Sequence, residues 1–202
     1  MTVRKKGGER RDLILSRASR LFWEKGYTET SMKDIAGACG FRPANLYNFF
    51  EAKESILYEI LLLEMNEIVE PIRHLKGNDG GDPVSALRLL IENHLRLTLG
   101  EKRSSKLLFD VSLKNLSGPH RKAIIRLRDE YDSIGAAIIG RGIKEGIFAR
   151  DLEVKIAVYS IASIIARSRI WFSPGGKYSV EDIIDFVFRF VMHGLGTGKG
   201  RG

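Results

Sequence analysis

The chain has 202 residues and is 44% hydrophobic, enough to bury one sizeable core or a small domain beside a larger one. Its single cysteine, Cys39, excludes an internal disulfide framework and fits a reducing compartment. The formal net charge is +8, and residues 1–53 hold 11 Lys/Arg against 6 Asp/Glu whereas the other 149 hold 22 against 19. The positive excess therefore gathers at the N-terminal quarter, as an electrostatic footprint for nucleic acid would; a generic solvated basic surface is the alternative. Apolar runs such as Ile60 to Leu63 fall far short of the about 18–20 residues of a membrane span. The polar, basic start through Arg11 lacks the apolar core of a signal peptide, so a soluble cytoplasmic protein without membrane contact is expected.

Taken in order, the elements read as helices. The first is expected from about Glu9 to Lys25, with Ile14, Ala18, Leu21 and Phe22 on one face and Gly26 closing it. Two short helices follow around a tight turn. Ser31 with Asp34 three residues on forms a capping-box-like start; Ile35, Ala36 and Cys39 share one side, with Cys39 expected as a buried small hydrophobe. Gly40 stops that helix with a left-handed backbone, Phe41 plugs the turn, and Pro43 suits a first helical position. Leu46, Phe49 and Phe50 then face inward, leaving Asn45, Tyr47 and Asn48 pointing elsewhere. The stretch from Ser31 to Phe50 is a helix-turn-helix, the minimal device for placing a helix in a DNA groove.

A fourth helix is expected from near Ala52, bent or ended by Pro71, followed by the turn-rich Gly77 to Pro83. Further helices are expected over Val84–Leu99, Lys106–Leu113, Gly118 to about Lys144, Asp151–Trp171, and after Ser179, whose partner Asp182 makes a second capping box. The Gly-rich tail from Gly194 is expected to be mobile. The fold class is thus all-α with about nine helices. The expected domains are residues 1–53 for DNA binding, with a basic arm containing Arg4, Lys5, Lys6, Arg10 and Arg11; residues 54–195 for ligand binding and dimerisation; and residues 196–202 as a flexible tail. The arm either follows the DNA backbone or is a solubilising start.

Ala18, Leu21, Phe22, Gly26-Tyr27, Thr30-Ser31, Asp34-Ile35-Ala36, Gly40, Leu46-Tyr47, Phe50 and Lys53-Glu54 together resemble the TetR family of transcriptional regulators over about residues 10–60. The resemblance implies a homodimeric repressor that binds double-stranded operator DNA and dimerises through its last two helices. It also implies a small-molecule effector in the larger C-terminal domain. By the family pattern, Lys33, Arg42, Asn45, Tyr47, Asn48 and Lys53 are the candidate DNA contacts. Arg42 suits guanine and Asn45 or Asn48 adenine, while the Tyr47 hydroxyl and Lys53 ammonium suit phosphates. Packing for Tyr47 and plain solvation for Lys33 are the alternatives. Arg42, Pro43, Asn45 and Asn48 depart from the usual family residues, so the base readout is this chain's own.

The segment Arg167 to Ser179 contains Trp171-Phe172-Ser-Pro174-Gly-Gly176 and resembles a TetR subgroup that includes acyl-CoA-responsive regulators. Arg167 and Trp171 are four apart, hence on one helix face, and suit a phosphate and an adenine; Arg169 and Lys177 add charge. Alternatively Trp171 and Phe172 anchor the turn between the last helices. Asn93, His94, Phe109 and Tyr131 are the candidates for the rest of the ligand site, with ordinary core or surface roles as the alternative. The four histidines match no metal-ligand spacing, and Gly140 to Gly146 follows no strand, so neither a metal site nor a phosphate loop is expected. No catalytic constellation is present and no cofactor is expected. The effector is expected to be an acyl-CoA; rivals are a drug-sensing efflux regulator and a DNA-binding interaction protein without a small effector.

Overall fold

The computed structural model describes residues 2–77, 81–100 and 113–196, with side chains from residue 8 onward. Among these are eight α-helices, two 3-10 segments and no strand: α1 (Thr2–Lys25), α2 (Met32–Ala38), α3 (Pro43–Tyr47), α4 (Lys53–Val69), α5 (Pro83–Leu99), α6 (Gly118–Lys144), α7 (Val154–Trp171) and α8 (Val180–Leu195). The 3-10 segments are Glu70–Lys76 and Leu113–Asn115. Helix α1 starts at Thr2, seven residues before the position expected from its apolar pattern. The expected helix Lys106–Leu113 lies outside the described residues up to Leu113 itself, as do the candidate Phe109 and the tail from residue 197.

The chain folds as two compact units: Met1–Met65 with Ser104–Ile125, and Asn66–Arg103 with Arg126–Gly202. These units divide the chain within α4, twelve residues beyond the expected domain boundary at residue 53. Most of α4 belongs with the first three helices, because Ile56, Leu57, Ile60 and Leu61 are buried alongside Ile14, Ala18, Phe22, Ile35, Leu46 and Phe50. The start of α6 joins this unit through Glu54, whose Oε1 accepts from the Ser117 N–H at 2.9 Å and bonds His120 Nδ1 at 2.8 Å. The His120 ring lies flat on Tyr58, 3.8 Å between centroids.

Local signals act where the sequence places them. Ser31 and Asp34 form a complete capping box at α2, and Ser179 and Asp182 another at α8. Gly40 has φ +69°, and the Phe41 N–H reaches back to the Ala36 carbonyl at 2.8 Å, closing α2 with a Schellman arrangement. Pro71, lacking an N–H, ends α4 at Val69, and the chain continues as 3-10 helix. Cys39 is half-buried, since it caps α2 at the rim of the turn rather than facing the core.

The second unit packs α5 against α7 and α8. Its core holds Leu87, Leu90, Ile91 and Leu95 from α5, Ile134, Ile138 and Ile139 from α6, Ile161 and Ile165 from α7, and Ile184 and Val187 from α8. At the end of α6 the Phe148 ring, fully buried, occupies the space a side chain at Gly142 would fill. No described helix is long and apolar enough to cross a membrane.

Candidate DNA interface and effector site

Helix α3 is only five residues long, so its orientation depends on its ends. Pro43 stands at its first position behind Arg42, whose backbone is extended and whose side chain makes no capping bond. Leu46 is fully buried and Phe41 stacks on Phe49 with centroids 6.5 Å apart, which turns one face of α3 inward. The opposite face carries Arg42, Asn45, Tyr47 and Asn48, all exposed, with Tyr47 at 54%. Lys33 is exposed on α2. Five of the six candidate DNA contacts are thus placed in solvent on the helix-turn-helix.

Lys53 is placed differently. Its ammonium donates to the carbonyls of Tyr27 at 2.7 Å, Thr30 at 2.7 Å and Thr28 at 3.3 Å, and lies 4.3 Å from the centre of the Tyr27 ring. Desolvation there pushes its pKa down. All three N–H donors meet carbonyls inside the protein, so in this DNA-free structure Lys53 clamps the turn between α1 and α2. Arg11, read as part of a basic arm, is likewise structural. Its Nε donates to Glu59 Oε1 at 2.7 Å and its Nη2 to Glu59 Oε2, while Nη1 donates to the Phe49 carbonyl at 3.0 Å and the guanidinium sits 4.2 Å from the Phe50 ring centre. Arg11 therefore ties α1 to α4 and to the residues closing α3. Neither partner set lies near its cation in sequence.

In the second unit, His94 and Tyr131 come together: Nδ1 of His94 is 2.9 Å from Tyr131 Oη, and both side chains are buried. Burial pushes His94 down to about 4, so its imidazole is neutral at physiological pH. It pushes the Tyr131 phenol up, with a smaller contribution from Asp132, so that group stays protonated. Tyr131 borders a narrow apolar cavity with Leu87, Leu90, Gly135, Ile139, Val158 and Ile161. Asn93 is not part of it. Its amide donates to the Ile68 carbonyl at 2.8 Å and so caps the end of α4.

Arg167 and Trp171 share an exposed stripe of α7, Trp171 at 58%, and neither joins the buried pair. Arg169 is buried, so it is not a surface charge for a ligand's phosphates. Lys177 and Tyr178 instead line an open groove of about 690 Å³ with Leu99, Gly100, Phe172 and Pro174, beside the start of α8. On α7 and α8, Ile156, Tyr159, Ile170, Phe186 and Phe190 are exposed, and a groove of about 260 Å³ runs along Ile156, Ile164, Phe190 and Leu195. Exposed apolar residues gathered along a groove mark an interaction surface or a ligand groove.

One unit thus offers a bare recognition helix on a clamped frame, and the other a buried neutral polar pair, an open groove and an apolar face: the parts of a regulator that reads DNA at one end and a small molecule at the other. Residues 14–60 match the family described as bacterial regulatory proteins, tetR family, and residues 80–195 match the tetracyclin repressor-like C-terminal domain. The chain belongs to the TetR family of transcriptional regulators. The HTH-type transcriptional repressor KstR2 of Rhodococcus jostii (strain RHA1) is 26% identical over 189 residues, 93% of this chain and 92% of that protein. PfmR, a TetR family regulator from Thermus thermophilus, matches with a TM-score of 0.80 and 34% identity over 90% of this chain and 98% of its own. The crystal structure of AibR in complex with isovaleryl coenzyme A and operator DNA shares the fold, with a TM-score of 0.79 and 24% identity over 90% of this chain and 97% of that one. TetR regulators bind operator DNA as homodimers and respond to small molecules.

Proposed function

We propose that this TetR-type repressor acts in the cytoplasm and is released from its operator by an acyl-coenzyme A thioester. The observation that carries the reading is the make-up of the second unit. Tyr131 of a buried, uncharged polar pair borders an apolar cavity, and an open groove elsewhere in the unit carries Lys177, Phe172 and Tyr178. That combination suits an amphiphile with a neutral acyl end and an aromatic, phosphorylated end. AibR, which shares the fold, was crystallised with isovaleryl coenzyme A and operator DNA together, and this supports the same ligand class here. Lys177 is the candidate for a phosphate, with Arg167 and Trp171 as the second candidate pair, exposed on α7.

On the DNA side, Arg42, Asn45 and Asn48 are assigned to base edges, and Tyr47 and Lys33 to phosphates. Two recognition helices of a dimer would read half-sites about 34–36 Å apart when these are one helical turn apart. Release requires only that the ligand bind the DNA-competent and incompetent states with different affinity.

A thermal-shift screen of acyl-CoAs against amphipathic cations tests the ligand class. An acyl-CoA at about 100 times its Kd adds about 2.7 kcal/mol, hence a rise of about 5–10 °C in Tm for a chain of this size. Stabilisation by cationic drugs and by no CoA ester would overturn the proposal in favour of an efflux regulator.

A further inference from the structure

Three polar side chains punctuate the apolar interior of the second unit. His94 and Thr98 lie one turn apart on the same face of α5, both 2% exposed, and Tyr131 reaches His94 from α6. The Thr98 hydroxyl has no hydrogen-bond partner among the described residues, an uncommon state for a buried oxygen that a bound polar group would relieve. Beside the pair, Gly135 stands in the middle of α6, where glycine is disfavoured. A Cβ there would come within 3.3 Å of both Val158 methyl groups, so the missing side chain keeps the cavity from closing.

The charge environment limits what this place accepts. Burial holds the phenol's pKa up, with a smaller contribution from the half-buried carboxylate of Asp132, which itself feels Arg128 and Lys155. A carboxylate brought here would be stripped of water beside two neutral buried groups and an apolar lining, which is strongly unfavourable. A carbonyl needs only one donor. With Nδ1–H of His94 donating to Tyr131 Oη, the phenol O–H can donate to a ligand oxygen. The cavity holds no more than about one water in this conformation, so an acyl group must part the cavity walls contributed by α6 and α7 to reach the pair.

We propose that the His94–Tyr131 pair recognises a neutral carbonyl of the effector, the thioester C=O of an acyl-CoA, and rejects the corresponding free carboxylate. The inference rests on the acyl-CoA reading and refines it.

The test compares isovaleryl-CoA and octanoyl-CoA, each with its thioether analogue in which CH2 replaces the carbonyl, and each with the free acid, by calorimetry on the full chain. The thioester of at least one pair is expected to bind tenfold or more tightly than its thioether, with no detectable binding of the acid. Tyr131→Phe, checked for folding by circular dichroism, is expected to remove the thioester–thioether difference. Gly135→Ala is expected to weaken both members of the pair alike. Equal affinity of thioester and thioether for the wild-type protein, tight binding of the acid, or a difference that survives in Tyr131→Phe would overturn the inference while leaving the acyl-CoA reading intact. Binding of no CoA compound by the wild-type protein would overturn that reading and the inference with it.

Discussion

In the DNA-binding unit the cations that turn inward are tied to backbone: Lys53 to three carbonyls between Tyr27 and Thr30, and Arg11 to the Phe49 carbonyl as well as to Glu59. In the other unit, Tyr131 at the cavity and its buried partner His94 are uncharged, with Thr98 one turn from His94, while the buried Arg169 stands apart from the cavity lining on α7. The first arrangement fixes a short helix that could not hold itself, because five residues are far below the length at which an isolated helix is stable. The second keeps hydrogen-bonding groups buried in an apolar interior, where a ligand can use them and water cannot compete. One unit is built for rigidity of presentation, the other for a guest.

Changes of decreasing size separate the two. Phe148→Ala, which empties the space beside Gly142, is expected to destabilise the protein by about 3–5 kcal/mol in urea unfolding, the largest effect here. If the two units melt separately, only the transition of the second should move.

Next comes pH. The native pKa of His94, about 4, lies below the unfolded value near 6.5, so between these values the unfolded chain binds the extra proton. This contribution to stability is complete above about pH 6.5 and is lost as pH falls toward 4. Between pH 7 and pH 4.5 the loss is about 2–3 kcal/mol. Unfolding curves for His94→Gln should lack that part of the acid slope; an unchanged slope would mean that His94 is not buried neutral.

Lys53→Met removes three charged hydrogen bonds while keeping an apolar stem over Tyr27, and is expected to cost about 1.5–3 kcal/mol of stability. Operator affinity should fall without a change in its salt dependence. A phosphate-contacting lysine would do the reverse, leaving Tm alone and lowering the salt slope by about 1. The smallest effects are confined to the DNA. Arg42→Ala should change base preference, worth about 1–3 kcal/mol at one position, whereas Tyr47→Phe should weaken all sequences alike. Site selection with both variants checks this, and an unchanged preference for Arg42→Ala removes Arg42 from the readout.

How much could be read from the sequence follows from the distance between partners. The caps at Ser31 and Ser179, the stops at Gly40 and Pro71, and the start at Pro43 depend on residues within about five positions, and all stand where the pattern placed them. The clamp of Lys53 reaches up to 26 residues, His94 to Tyr131 spans 37, and Arg11 to Glu59 spans 48, so spacing gave no sign of them. Helix α7 misled for another reason. It is apolar on two sides, with Ile161 and Ile165 buried but Ile156, Ile170 and Trp171 exposed, so periodicity could not say whether Arg167 or Arg169 faced inward. The structure buries Arg169. The division of the compact units inside α4 left no sign in the sequence, because the helix runs through it without a break.

The central claim, that one chain joins operator binding to an acyl-CoA signal, is tested most directly by fluorescence anisotropy of a labelled operator obtained by site selection, titrated with isovaleryl-CoA and longer acyl-CoAs. The account predicts that the protein–operator complex dissociates with a midpoint set by the affinity of the thioester, while free coenzyme A and the free acid leave it intact. Operator affinity unchanged at saturating acyl-CoA would contradict it.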